Sequence, residues 1–367
     1  MSMSVSIPLT PDAFGPARRV VAQGGAFTVT AWRTGLGVEM LRIANGRGHV
    51  EVLPFMGQMV WDAVFDGVRL TMESAFPEPR PATSIVETYG CLAYHSGLLR
   101  NGCPGPEDDH PLHGEMPCKR MGSARIEFDT DAEGGPVVRV AGHVDHTLGF
   151  GPNYRARPSV TVGTGTTIAM SMEVENRSAL SMELMYMAHV NFAFVADGVI
   201  HQAAPFTPER TRVRSSVPAH VTPTDDYRAF LKELAEHPEA GRRLDRPGQW
   251  DPEQVIYVDA PGTDKDGLTH AMLERPAGDG FAMSYAPSEF PRLARWILHG
   301  ADATVAAFAL PATCEPEGYL AEKAKGNIAT LASGETRGFT AHFGYVTPDE
   351  AAALSGQIAA LGGQDKD

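Results

Sequence analysis

The stretch Thr167-Ile168-Ala169-Met170-Ser171-Met172-Glu173-Val174-Glu175 decides the fold. Successive side chains of an extended chain point to opposite faces, so Ile168, Met170, Met172 and Val174 share one side and Thr167, Ser171, Glu173 and Glu175 the other. That is a half-buried antiparallel strand. Asn176-Arg177-Ser178 reads as a turn, and beyond it Met182-Glu183-Leu184-Met185-Tyr186-Met187-Ala188-His189-Val190-Asn191-Phe192 reads as a second strand. Period 2 puts Met185, Met187, His189 and Asn191 on one face and Leu184, Tyr186, Val190 and Phe192 on the other. This strand therefore ends in two polar groups that point the same way.

Outward from this pair the text keeps one rhythm. Short apolar runs broken by turn residues occupy Phe27 to Leu70, with Asp66-Gly67 as a hairpin turn. Further strands are expected over Ala124–Phe128, Val137–Val144, Gln254–Val258, Phe281–Ala286, Arg295–His299, Thr304–Leu310 and Thr336–Val346. Two segments are helical. Thr224-Asp225-Asp226 caps a helix whose apolar side carries Tyr227, Phe230, Leu231 and Leu234, stopped before Pro238. Thr347-Pro348-Asp349-Glu350 is a capping box opening a terminal helix with Leu354, Ile358 and Leu361 on its apolar side and a frayed tail. Glu73–Gly90 is a long Pro-rich loop, and Gly241–Pro252 a surface excursion.

About a dozen strands with two short helices, and without strand–helix alternation, predict an all-β (mainly β) protein, a large antiparallel β-sandwich. With no internal repeat and no shift in composition along the 367 residues, residues 1–367 are expected to form a single domain. Hydrophobic residues make up 43% and charged residues 21%, which suffices for a globular core. The net charge of −14 and the lack of Lys/Arg clusters argue against nucleic acid as a partner. Met1–Pro8 has neither a basic nor an apolar leader region, and no window supplies the roughly 20 apolar residues of a membrane span, so a cytoplasmic protein without a membrane partner is expected. Cys91, Cys103, Cys118 and Cys314 are far apart and include no Cys-x-x-Cys pair, which points to reduced thiols. No residue pattern sets the oligomeric state.

Three distant segments carry groups suited to proton transfer: His113 in Leu112-His113-Gly114, His189 in His189-Val190-Asn191-Phe192, and Glu315 in Cys314-Glu315-Pro316. Imidazole exchanges protons near neutral pH, and a carboxylate beside it supplies a base. Among 13 histidines, each of these also reads as a structural residue. His95 is a further candidate.

At these residues the chain resembles the aldose 1-epimerases, or galactose mutarotases. Leu112-His113-Gly114, His189-x-Asn191-Phe192 and Glu315-Pro316 match, in order and at about the same separations, the Leu-His-Gly, His-Pro-Tyr-Phe and Leu-Glu-Pro motifs of that family, and Arg100-Asn101 resembles the Arg segment before the first. The resemblance is closer still to a poorly characterised aldose-1-epimerase-like branch, through Asn45-Gly46-Arg47-Gly48, Gly97-Leu98, Pro252-Glu253-Gln254-Val255, Trp296 and Gly334-Glu335. It implies a galactose-mutarotase-like sandwich and an isomerase acting on a small-molecule sugar without a cofactor. It further implies Glu315 as the base at the anomeric hydroxyl, His189 as the acid at the ring oxygen, His113 as a hydrogen-bonding partner of the reacting oxygens, and Arg100 as the residue that orients the sugar; beside these, Asn191, on the face of His189, and His95 are expected as substrate-binding residues.

The chain departs from the family pattern at Val190-Asn191, which replaces Pro-Tyr, and at Cys314, which replaces Leu. The Asp that holds sugar hydroxyls in that family has a weak counterpart in Asp259. Two alternatives stay open: a metal-dependent sugar epimerase or isomerase acting at another carbon through His95, His113, His189 and Glu315, although their separations give no metal signature, and a carbohydrate-binding protein without turnover.

Overall fold

The computed structural model describes residues 4–217 and 222–362. The strand Thr167–Asn176 sits in the middle of a nine-stranded antiparallel sheet, paired with Asn153–Val162 on one side and Thr336–Val346 on the other. Its apolar set, Ile168, Met170, Met172 and Val174, is almost wholly shielded from solvent. A second, fourteen-stranded sheet holds Met182–Val190, flanked by Ala93–Leu98 and Ala303–Ala312. Leu184, Tyr186, Ala188, Val190 and Phe192 face the first sheet and join Ile168 to Val174 in one apolar core. The two sheets thus form a sandwich, each burying its alternate residues against the other. Asn176 makes the turn between them: its Nδ2 donates to the carbonyls of Leu180 (2.9 Å) and Leu331 (3.0 Å), and its Oδ1 accepts from Ser178 N (2.9 Å).

Most elements coincide with the sequence reading. The Asp66-Gly67 turn, with φ of 49° and 79°, joins Val60–Phe65 to Val68–Arg69. The helix Asp225–Glu236 is capped by Thr224 Oγ1, which accepts from Tyr227 N (3.1 Å), and it buries Tyr227, Phe230 and Leu234. In the terminal helix Pro348–Gly362, the Glu350 carboxylate accepts from Thr347 N (2.8 Å), while Ile358 is buried. The expected frayed tail lies outside the described residues. No helix among the described residues is long and apolar enough to cross a membrane.

Three expectations need correction. Among the described residues there are 23 strands rather than a dozen, because pieces of two to four residues such as Glu73–Ser74 and Ala329–Leu331 are too short to show a period. There are also three α-helices rather than two. The third, Tyr319–Lys325, starts after Gly318 at φ 90°, with no Ser, Thr, Asp or Asn to cap it. Gly241–Pro252 is no free surface excursion: Trp250 and Leu244 are buried, and the Trp250 ring meets Phe230 edge-on at 5.0 Å.

Candidate functional site

On the face of the large sheet turned away from the core, Met187 and His189 project from Met182–Val190 as period 2 requires. The cross-strand partner of His189 is Tyr94, and the rings stack with centroids 4.6 Å apart. His113 meets the His189 ring edge-on at 4.8 Å. The structure thus brings together two of the three predicted proton-transfer groups, 76 positions apart in sequence.

His113 is fixed by its backbone. Its φ is 61° and that of Gly114 is 78°, so the chain turns through the left-handed region twice in succession. His113 N donates to Gly102 O (3.0 Å), Gly97 N donates to His113 O (2.9 Å), and Gly114 N donates to Pro111 O (3.0 Å). A Cβ on Gly114 would stand 2.0 Å from Arg100 O. The Arg100-Asn101-Gly102 loop in turn presses against the Glu-Pro segment, since a Cβ on Gly102 would lie 2.4 Å from the Pro316 carbonyl carbon, and Cys103 N donates to Pro316 O (3.0 Å). The backbones of three motif segments therefore lock together at one corner.

The two histidines line a cavity of about 320 Å³ with Tyr89, Arg214, Glu253 and Trp296. Tyr89 hydroxyl lies 3.0 Å from Tyr94 hydroxyl and 3.4 Å from His189 Nε2. Glu253 accepts from Trp296 Nε1 (2.7 Å) and from Arg214 (2.8 Å). Burial lowers the His113 imidazole to about 3, opposed by the nearby Glu253 charge. Burial, reinforced by His113, drives His189 well below its ordinary value, and Asn191 partly offsets this. Both rings are neutral at pH 7. Among the described residues, Nδ1 of each has no hydrogen-bond partner.

The other predicted site residues stand elsewhere. Glu315 lines a neighbouring, more polar cavity of about 540 Å³ that shares Arg214 with the first. Lys325 (2.6 Å) and Arg212 (2.8 Å) donate to its carboxylate. Burial acts to raise the Glu315 carboxyl, but these two cations outweigh it and hold it below the ordinary carboxylate value. Asp259 pairs with the same Arg212 and lines the same cavity. His95 faces the sheet interior, its Nδ1 2.8 Å from Tyr186 hydroxyl, outside both cavities. Asn191 is buried, with Nδ2 donating to Cys91 O (3.1 Å). Arg100 lies over the Tyr319 ring at 3.6 Å, in a separate surface depression beside Glu183. His95, His113, His189 and Glu315 thus do not converge, and among the described residues no three His, Cys, Asp or Glu side chains are disposed to hold one metal ion.

Tyr89, Arg214, Glu253 and Trp296 were not singled out as site residues from sequence. Glu253 and Trp296 do lie in text that matches the aldose-1-epimerase-like branch, which is the signal that could have found them. Tyr89 closes a Pro-rich loop without a period, and Arg214 follows a three-residue strand, so neither carries a local pattern.

The buried histidines also govern acid stability. In the unfolded chain a histidine titrates near about 6.5, whereas burial in the fold lowers His113 and His95 to about 3 and His189 well below its ordinary value. The unfolded state therefore binds more protons as pH falls below about 6.5, so this stabilisation is complete above that pH and is lost on acidification. Urea unfolding followed from pH 6.5 to pH 5 should lose up to about 1.4 kcal/mol per pH unit for each histidine. His113→Asn should reduce the slope by close to one proton, and an unchanged slope would show that His113 is protonated in the fold.

Among solved structures, this one is similar to that of a Klebsiella pneumoniae protein described provisionally as an aldose 1-epimerase, with a TM-score of 0.79, 16% identity, and coverage of 100% of this chain and 97% of that one. It is also similar to a galactose mutarotase-like protein from Clostridium acetobutylicum, with a TM-score of 0.57, 14% identity and coverage of 86% and 98%. A protein from Escherichia coli K12, again provisionally an aldose 1-epimerase, gives 0.54, 12%, 84% and 99%. At these identities the likeness establishes the fold, a galactose-mutarotase-like β-sandwich. No curated protein matches the chain. The family is set by sequence: a model described as a domain of unknown function, DUF4432, matches residues 35–344, and the chain belongs to that family.

Proposed function

We propose that this protein is a carbohydrate epimerase that exchanges the anomers of an aldose or related sugar in the cavity walled by His113 and His189. The observation that carries this reading is the pair of buried, neutral imidazoles 4.8 Å apart in the lining of one cavity that also holds a carboxylate. Anomer exchange needs a proton taken from the hydroxyl on C1, stabilisation of the charge that appears on the ring oxygen as the C1–O5 bond breaks, rotation about C1–C2, and the reverse. The O1 proton returns on reclosure, so the reaction is redox-neutral.

The histidines suit the second requirement. They carry no charge in the resting cavity, and a developing alkoxide in that poorly hydrated space would be met by imidazole N–H groups whose interaction with it strengthens as charge grows. For the first requirement our reading assigns Glu253, the buried carboxylate among the two that line the cavity with the histidines, kept close to Arg214 and Trp296, whereas Asp302 is exposed. Glu315, the base implied by resemblance, lies in the adjoining cavity under two cations. The neighbouring folds support a carbohydrate reading without supplying a substrate.

The test is anomer exchange followed by polarimetry and NMR over a panel of aldoses, deoxy sugars and uronic acids. Acceleration of at least one sugar is expected. If the protein binds a sugar yet accelerates none, the epimerase reading fails and a binding protein remains.

A further inference from the structure

The cavity is not evenly lined. Beside polar groups that include His113, His189, Arg214, Glu253, Ser74 and Asp302, it has a floor of Met72, Met187, Val255, Ala294 and Leu310, all buried and belonging to one apolar cluster. A sugar with a hydroxyl at every carbon would press one of them against this floor, where the side chains offer no hydrogen-bond partner, and the lost hydration would not be replaced. A methyl group there would gain from the same surface.

The placement of the two faces narrows which carbon this is. Met187 and His189 lie on one strand face, two residues and roughly 6.6 Å apart. The ring oxygen is flanked by C1 and C5; with His189 at the ring oxygen and the C1 hydroxyl turned to Glu253, as in the reading above, the neighbour left to meet the floor is the substituent on C5. From this the geometry points to a substrate whose C5 carries a methyl rather than a hydroxymethyl group, a 6-deoxyhexose, with Met187 and Val255 as specificity-determining residues. The inference rests on the carbohydrate reading above and adds to it a substrate class.

Matched pairs that differ by one oxygen test it: D-fucose against D-galactose, L-rhamnose against L-mannose, and 6-deoxy-D-glucose against D-glucose. Binding to the intact protein is measured by titration calorimetry and anomer exchange by NMR. In at least one pair the 6-deoxy member should bind about 10-fold or more tightly, the scale on which one methyl-sized difference is discriminated in an apolar pocket. Val255→Thr, which keeps the shape and adds a hydroxyl to the floor, should bring that ratio toward one. Equal or tighter binding of the 6-hydroxy member in every pair, or no binding by any member, would overturn the proposal, and a ratio unmoved by Val255→Thr would overturn the placement on this floor. A deoxy preference in binding without any turnover would instead sink the epimerase reading and leave this one standing.

Discussion

Replacing Gly114 with alanine should cost more than about 4 kcal/mol in urea unfolding, or abolish folding altogether, which puts it among the largest single-residue effects expected of any protein. Two penalties coincide at this position. The backbone is at φ 78°, which an L side chain adopts only with strain, and a Cβ would stand 2.0 Å from Arg100 O and 2.7 Å from Gly97 O. Both are backbone atoms and cannot swing aside as a side-chain terminus would. Gly97 N and Met116 N also bind this corner, the first to His113 O and the second to Gly97 O, so a shift would break the hydrogen bonds that position His113. Gly134 is the control: its φ is 86°, yet nothing lies within 4 Å of its would-be Cβ, so Gly134→Ala should cost only about 1 kcal/mol. Similar losses at the two glycines would mean that the corner is not tightly packed.

The second large effect separates two carboxylates. With Glu253 as the base, Glu253→Gln should lower the maximal rate of anomer exchange by about 100-fold or more, the ordinary scale for losing a general base. The glutamine keeps the shape and still accepts from Trp296, but it breaks the ion pair with the buried Arg214, so a stability loss of roughly 3 kcal/mol accompanies the rate loss and the rate is read on protein shown to be folded. Glu315→Gln should leave the rate nearly unchanged. Its carboxylate sits between Lys325 and Arg212, but Lys325 keeps Glu322, Arg212 keeps Asp259 and both cations are partly exposed, so neutralising it should cost only about 1 kcal/mol in stability with a rate within about 10-fold of wild type. If Glu315→Gln proves inactive and Glu253→Gln active, the base is the residue implied by resemblance, and our assignment of Glu253 is wrong.

The sandwich was readable from the sequence because its evidence is local. Thr167–Glu175 alternates without a break, and in Met182–Phe192 the two faces fall as period 2 places them, with Tyr186 and Phe192 in the core and Met187 and His189 on the cavity side. The site was legible only in part. Period 2 shows that His189 leaves the core face, but nothing local shows that Tyr94 stacks on it, since that pairing is a matter of register between distant strands. The same rule, applied to Ala93–Leu98, explains why His95 cannot join its neighbour Tyr94 in the site: adjacent strand residues face opposite ways. Glu315 shows the limit of matching motifs. The Glu-Pro backbone does reach the histidine corner through Pro316, while the glutamate side chain turns to Lys325, ten positions on, at the end of a helix that no capping signal announced. Glu253 reaches the cavity from the start of the strand Gln254–Val258, where a lone carboxylate after proline resembles any surface residue.

The central claim, that the His113–His189 pair performs the chemistry, is tested most directly by two-dimensional exchange NMR on the sugar panel with wild-type protein, His189→Asn and His113→Asn, each shown to be folded at pH 7. Wild type should speed anomer exchange of at least one sugar, and His189→Asn should lower that rate by about 100-fold. Full wild-type rates in both variants would contradict the claim.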